Sequence, residues 1–149
     1  MLYFFYGTLC DPDIQALILG YRPRPQQLRP AILNGFRRKQ AQGRSYPVLI
    51  RAPGGQVDGL LFRPARPTDA ARLASYEGPE YLTRHLPVQV ADGSAGSQRA
   101  RVFLPAGPAQ GFALAPAKAD WALTDWQRRY KSAFLRSLLD QGPMPCASR

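Results

Sequence analysis

The sequence predicts an α+β fold with a mainly antiparallel, curled sheet. Candidate strands and helices mix without the regular βαβα alternation of a doubly wound sheet. Short strand-like runs flank glycine-containing turns at Pro53-Gly54-Gly55 and Asp92-Gly93-Ser94. A chain of 149 residues with 45% hydrophobic content is long enough for one sizeable core, and no composition shift or repeat divides it.

The first six residues, Met1-Leu2-Tyr3-Phe4-Phe5-Tyr6, are an unbroken apolar run rich in strand formers. Gly7 and Thr8 break it, and Asp11-Pro12-Asp13 opens a helix. Asp11 suits the N-cap, and Pro12 suits the first helical position, where its missing N–H costs nothing. A strand, a glycine turn and a helix start in succession leave several backbone N–H groups facing one concavity. Such a place suits carboxylates or phosphates. An ordinary core strand followed by a turn has the same pattern.

The helix is expected over 12–19, with Ile14, Leu17 and Ile18 at helical spacing and Gly20 as its stop. Pro23 and Pro25 make 21–27 an extended connection. Residues 28–38 read as a strand bent at Asn34-Gly35, and 40–45 as polar loop. A strand over 46–50, put on an edge or at a bulge by Pro47, joins a strand over 56–63 in an expected hairpin. Thr68 is placed to cap a helix over 69–77, with Ala70, Leu73 and Ala74 as its buried stripe and Gly78 as its stop. Two further strands are expected over 86–90 and 98–104. Residues 105–119, rich in Ala, Gly and Pro, read as loop. Thr124-x-x-Gln127 has the form of a capping box and opens one longer helix, where Trp126, Tyr130, Phe134 and Leu138 recur every four residues as core packing. The domain is expected to span 1–139, with 140–149 a C-terminal tail.

Lys and Arg total 20 against 10 Asp and Glu, a net charge of +10. Seventeen of the basic residues are Arg, and they are scattered along the chain. There is no block of like charges, aromatic RNA-binding signature or zinc-finger pattern, so specific nucleic-acid binding is not expected. No apolar run reaches membrane-spanning length and no signal-peptide pattern opens the chain, so no membrane partner is expected and the expected setting is cytoplasmic. Cys10 and Cys146 have no CxxC partner, and with His85 the only histidine no zinc set remains. A disulfide between the two cysteines stays open, although reduced thiols are the rule in the cytosol. A nucleophilic Cys10 would need a basic partner, for which a single His gives little scope.

Glu77 and Glu80 are the only glutamates, inside Tyr76-Glu77-Gly78-Pro79-Glu80-Tyr81. Glu77 should fall in the last turn of its helix, near the negative end of the macrodipole. A carboxylate there has its pKa pushed up, and partial burial among Tyr76, Tyr81 and Leu82 would add to that. Such a group is what acid/base chemistry near neutral pH requires. The plainer alternative is a solvated helix end.

Together, Tyr6-Gly7-Thr8-Leu9, Pro30-Ala31-x-Leu33-x-Gly35-Phe36, Tyr46-Pro47-Val48, Val57-x-Gly59 and the run from Leu73 through Tyr76-Glu77-Gly78, Tyr81 and Arg84 to Val88 resemble the γ-glutamylcyclotransferase-like family, in its shorter bacterial and plant forms. The motifs occur in order over residues 1 to about 139. Trp121, Trp126 and the helix after them resemble that family's C-terminal element. The resemblance implies a small mixed, mainly antiparallel β-barrel with flanking helices. It also implies conversion of a small-molecule γ-glutamyl amine or γ-glutamyl amino compound to 5-oxoproline and the free amine, with no cofactor and no metal. Carried over, the backbone of Tyr6, Gly7, Thr8 and Leu9 would hold the γ-glutamyl end, and Glu77 would be the catalytic acid/base. Tyr81 would line the cavity or simply pack. Arg84 would pair with Glu80 or Glu77, or reach a substrate carboxylate. The alternative is a non-catalytic protein that binds a small metabolite in the same cavity.

Overall fold

A computed structural model of the chain describes residues 1–93, 96–106 and 115–140. In order, the elements are β1 (Leu2–Phe5), a 3-10 turn (Thr8–Cys10), α1 (Pro12–Leu19), a second 3-10 turn (Pro25–Gln27), β2 (Leu28–Ala41), β3 (Pro47–Phe62), α2 (Asp69–Glu77), β4 (Tyr81–Val90), β5 (Gln98–Pro105), β6 (Pro116–Asp120), α3 (Leu123–Arg129) and α4 (Lys131–Asp140). β1 pairs antiparallel with β3 and parallel with β5, while β5–β4, β4–β2 and β2–β3 are all antiparallel. Five strands therefore close into a mixed, mainly antiparallel barrel, as expected from the resemblance. β6 attaches to β2 outside that ring.

β1 is buried on both faces. Successive side chains on a strand point to opposite sides, so Tyr3 and Phe5 face a layer with Ile14, Ile18, Leu73 and Trp126 from the helices. Phe4 and Tyr6 face the barrel interior with Leu33, Val57, Val88 and Val102. Burying each such side chain contributes about 1.5–3 kcal/mol, so this short strand is a shared wall of two cores. Its closeness to β3 demands a glycine. A Cβ built on Gly59 would lie 2.1 Å from the Phe5 carbonyl oxygen and 2.8 Å from the Phe4 ring.

Four local expectations are corrected. First, the strands expected over 46–50 and 56–63 do not form a hairpin with each other; they are one strand, β3, paired along its length with β2. The register passes from Asn34↔Gln56 to Phe36↔Arg51, so residues 52–55 bulge opposite Gly35 (φ +88°) instead of reversing the chain. Secondly, part of the loop expected over 105–119 is β6, which pairs with β2 at Lys39 and Ala41; 107–114 lie outside the described residues. Thirdly, Thr68 makes no side-chain cap. Instead the Asp69 Oδ2 ties down the chain that leads into the helix, accepting the N–H groups of Ala65 and Arg66 and the Tyr21 hydroxyl.

Finally, the long C-terminal helix is two helices broken at Tyr130 (φ −121°, ψ −20°), and Ala122, not Thr124, is the N-cap residue of α3. Gln127 does not close a capping box; its Nε2 donates to Asp11 Oδ2 at 2.8 Å. Lys131 joins the same carboxylate at 2.9 Å and Asp13 at 2.7 Å. The proposed stripe splits accordingly. Trp126 and Leu138 are core, while Tyr130 is 41% exposed. The tail beyond Asp140, with Cys146, lies outside the described residues.

Asp11 is fully buried and also caps α1, accepting from the N–H groups of Asp13 and Ile14. Burial pushes its pKa up. The hydrogen bonds from Lys131, Gln127 and the Ile14 N–H outweigh that and hold it below the ordinary carboxylate value. A depressed folded value stabilises the protein above the unfolded pKa of about 3.9, and that stability is lost as pH falls through the folded value.

Gly59→Ala is expected to lower unfolding stability by about 3 kcal/mol, read as a fall in the urea midpoint; an unchanged midpoint would show that β1 can yield. Asp11→Asn should cost about 3 kcal/mol at neutral pH. That gap should shrink below pH ~4, and a gap constant with pH in stepped urea titrations would rule out this role for the carboxylate.

Candidate active site

Where β1 ends, the chain leaves two apolar cores at once. Tyr6 is still buried, and Gly7 passes close enough to Pro47 that a Cβ would meet its ring at 3.0 Å. The 3-10 turn follows. It uses the N–H groups of Cys10 and Asp11, which donate to Gly7 O at 2.9 Å and Thr8 O at 3.0 Å. A turn cannot use its own first amides, so those of Gly7, Thr8 and Leu9 are left for another acceptor.

Glu77 reaches the same place from a different element. It is the last residue of α2, and Gly78 (φ +76°, ψ −176°) takes an extended positive-φ conformation open to glycine, which lets the chain leave the helix and enter β4. Tyr76, beside it, shares a 2.6 Å hydrogen bond with the Thr8 hydroxyl. Its ring stands edge-on to Phe134 of α4, centroids 6.3 Å apart. Tyr46 and Tyr81 form another wall, 6.4 Å apart between ring centroids. The Tyr46 hydroxyl donates to Glu80 Oε2 at 2.8 Å, and that of Tyr81 to Pro47 O at 3.2 Å.

Tyr6, Gly7, Thr8, Leu9, Glu77 and Tyr81 all line one pocket, about 480 Å³ including its open mouth. Tyr46, Tyr76, Phe103 and Phe134 complete much of its wall. The structure brings together every site residue named from the sequence except Arg84, which lies exposed on β4 outside the pocket lining. Phe134, expected as core packing, is also pocket wall. Arg38 carries no signal in the sequence. Within Arg37-Arg38-Lys39 nothing local distinguishes it, yet its Nη1 donates to the Tyr6 carbonyl at 2.9 Å. The scattered arginines also partly converge: Arg22, Arg24, Arg63 and Arg66 surround one surface groove, with Arg66 stacked 4.2 Å above the Tyr21 ring.

The electrostatics favour neutral phenols around a carboxylate. Burial raises the Tyr6 pKa well above its ordinary value; the Glu77 charge adds to this and Arg38 opposes it. Burial, then the neighbouring Tyr6 and Glu77, raise that of Tyr81. The Tyr6 hydroxyl spends its proton on the Phe103 carbonyl. Cys10 is equally inert: burial pushes its thiol up to about 12, and its Sγ donates to Phe5 O at 3.3 Å. Among the described residues, no three His, Cys, Asp or Glu side chains gather to hold a metal.

A family model described as "Gamma-glutamyl cyclotransferase, AIG2-like" matches residues 3–127. The chain belongs to the gamma-glutamyl cyclotransferase, AIG2-like family. Within it, AIG2-like protein A of Arabidopsis thaliana is 24% identical over 134 residues, covering 90% of this chain and 76% of that protein. AIG2-like protein D of the same plant is 25% identical, covering 89% and 83%. A solution structure of an Arabidopsis thaliana protein shares the fold with a TM-score of 0.63 at 20% identity, covering 94% of this chain and 80% of that one. A structure named gamma-glutamyl cyclotransferase gives 0.51 at 17% identity, covering 72% and 67%. At these identities the structural matches establish the barrel. No helix among the described residues is long and apolar enough to cross a membrane.

In a Cys146→Ser background, Cys10 is expected to react with a thiol reagent at pH 8 about 10³-fold more slowly than an ordinary thiol, accelerating only as the pH nears 12. A rate within tenfold of free cysteine would reveal a thiolate and restore its candidacy as a nucleophile.

Proposed function

We propose that this family member is a cyclotransferase that converts a γ-glutamyl amine or γ-glutamyl amino compound to 5-oxoproline and the free amine, with Glu77 as acid/base. One observation carries this reading: Glu77 and the turn residues Gly7, Thr8 and Leu9, whose amides the turn itself does not use, line the same pocket. The family description points to the same chemistry.

The reaction needs little more. The substrate's α-amino nitrogen attacks its own γ-carbonyl carbon, a C–N bond forms and closes a five-membered lactam, and the bond to the leaving nitrogen breaks. Because the nucleophile is already tethered, the pocket has only to fold the substrate into a near-attack shape; well-oriented intramolecular reactions reach effective molarities of about 10⁵–10⁸ M. The attacking nitrogen is an ammonium at neutral pH and must lose a proton, which Glu77 accepts. The same carboxyl returns that proton to the departing nitrogen as its bond breaks; the attacking nitrogen sheds a second proton in becoming the lactam N–H, and the released amine takes it up as an ammonium, so the step balances without an added reagent.

The amides of Gly7, Thr8 and Leu9 would hold the γ-glutamyl end and steady charge on the γ-carbonyl oxygen. Tyr6 and Tyr81, kept protonated, add no competing negative charge beside Glu77. Tyr81, Tyr46 and Phe134 would give the substrate an aromatic wall.

Purified protein incubated with a panel of γ-glutamyl amines and dipeptides is expected to release 5-oxoproline. Glu77→Gln should keep the fold and lose about 10²–10⁴-fold in kcat. Undiminished turnover in that variant would reject Glu77 as the acid/base, and no lactam from any panel member would favour a pocket that binds without reacting.

A further inference from the structure

We propose that Arg38 is a positioning residue that aims the Gly7 amide into the pocket. This rests on the reading of the pocket as the substrate site. In a trans peptide the carbonyl of one residue and the N–H of the next point to opposite sides, and no peptide bond among the described residues is cis. Whatever holds the Tyr6 carbonyl therefore decides where the Gly7 N–H points. Arg38 Nη1 holds that carbonyl at 2.9 Å.

Arg38 is itself fixed from several directions. Nη1 also donates to Asp58 O at 2.8 Å, Nη2 to Asp58 Oδ1 at 2.8 Å, and Nε to Trp121 O at 3.3 Å. Its guanidinium lies 5.6 Å from the Trp121 ring centroid. The side chain is 17% exposed, although the Asp58 carboxylate it meets is 86% exposed. Neither Arg38, Asp58 nor Trp121 lines the pocket, whereas Gly7 does. The clamp thus grips the far side of the Tyr6–Gly7 peptide and turns its N–H inward.

The other two amides do not need this help. Cys10 N–H holds the Gly7 carbonyl and Asp11 N–H holds that of Thr8, so the turn orients the Thr8 and Leu9 amides by itself. The Tyr6–Gly7 peptide precedes the turn and ends in the residue with the freest backbone, where rotation would meet the least resistance. A planar, multiply bonded guanidinium suits the task better than a flexible ammonium. It also polarises the peptide it holds and strengthens the Gly7 N–H as a donor.

The test reads orientation first and needs no substrate. Residual N–H dipolar couplings of ¹⁵N-labelled protein are compared between wild type and Arg38→Met, with Arg38→Lys as a second variant if the first does not fold. The Gly7 coupling is expected to change while those of Thr8 and Leu9 stay as they were. An unchanged Gly7 coupling, or equal changes at all three amides, would overturn the proposal. The kinetic arm measures 5-oxoproline release per folded molecule, where loss of one aimed donor should lower kcat about 10²-fold; undiminished kcat would overturn it as well. Wild-type protein that forms no lactam would remove the cyclotransferase reading and leave the couplings to decide the role of Arg38.

Discussion

The double burial of β1 is the constraint on which the rest depends. With Tyr3 and Phe5 in the helical layer and Phe4 and Tyr6 in the barrel, no side chain of this strand can present an unpaired polar group without a desolvation cost of about 1–3 kcal/mol. The first polar atoms the strand can offer come at its exit, where the backbone turns and its amides lose their ladder partners. The pocket forms there for that reason. Even the phenol that reaches it from Tyr6 is tied to a backbone carbonyl, so its polar character comes from main chain and from the carboxylate of another element.

That origin explains what could be read without coordinates. The exit of β1 and the end of α2 each carry a local signal, an apolar run stopped by Gly7 and a helix stopped by Gly78, although of the expected stripe only Leu73 is buried, Ala70 and Ala74 being exposed and Ser75 and Tyr76 packing inward instead. Gly78 reflects short-range geometry, a positive φ, whereas Gly7 stops its run visibly in the sequence but answers to a tight approach by Pro47, a partner distant in sequence. Features set by distant partners were not legible. Pro53-Gly54-Gly55 has turn composition, but whether it reverses the chain depends on β2 lying alongside residues on both sides of it. β6 is a strand because β2 offers it an edge, not because of its Pro-Ala-Lys-Ala-Asp sequence. Arg38 is invisible for the same reason, since its acceptors lie 20, 32 and 83 residues away.

The break at Tyr130 shows such a distant partner changing local structure. Trp126, Tyr130, Phe134 and Leu138 could all face one side of a straight helix. Instead Lys131 is drawn to Asp11 and Asp13, and Gln127 to Asp11. Buried ion pairs add little net stability once desolvation is counted, and their best-attested use is to fix register. Here the network fixes how the C-terminal helices sit against the start of α1. That placement brings Phe134 to 6.3 Å from the Tyr76 ring and makes it pocket wall as well as packing.

A short hydrogen bond joins the two halves of the candidate site. The amide donors belong to the turn after β1 and the carboxylate to the end of α2, with 68 positions separating Thr8 from Tyr76. The 2.6 Å bond between the Thr8 and Tyr76 hydroxyls spans that gap, from a residue adjacent to Gly7 to a residue adjacent to Glu77. Since both hydroxyls are buried, breaking the bond would strand two polar groups instead of exchanging them for water. The proposed reaction, which would take a proton at one end of the substrate and steady charge at the other, would require a fixed distance between those two functions, and this buried bond ties together the elements that would carry them.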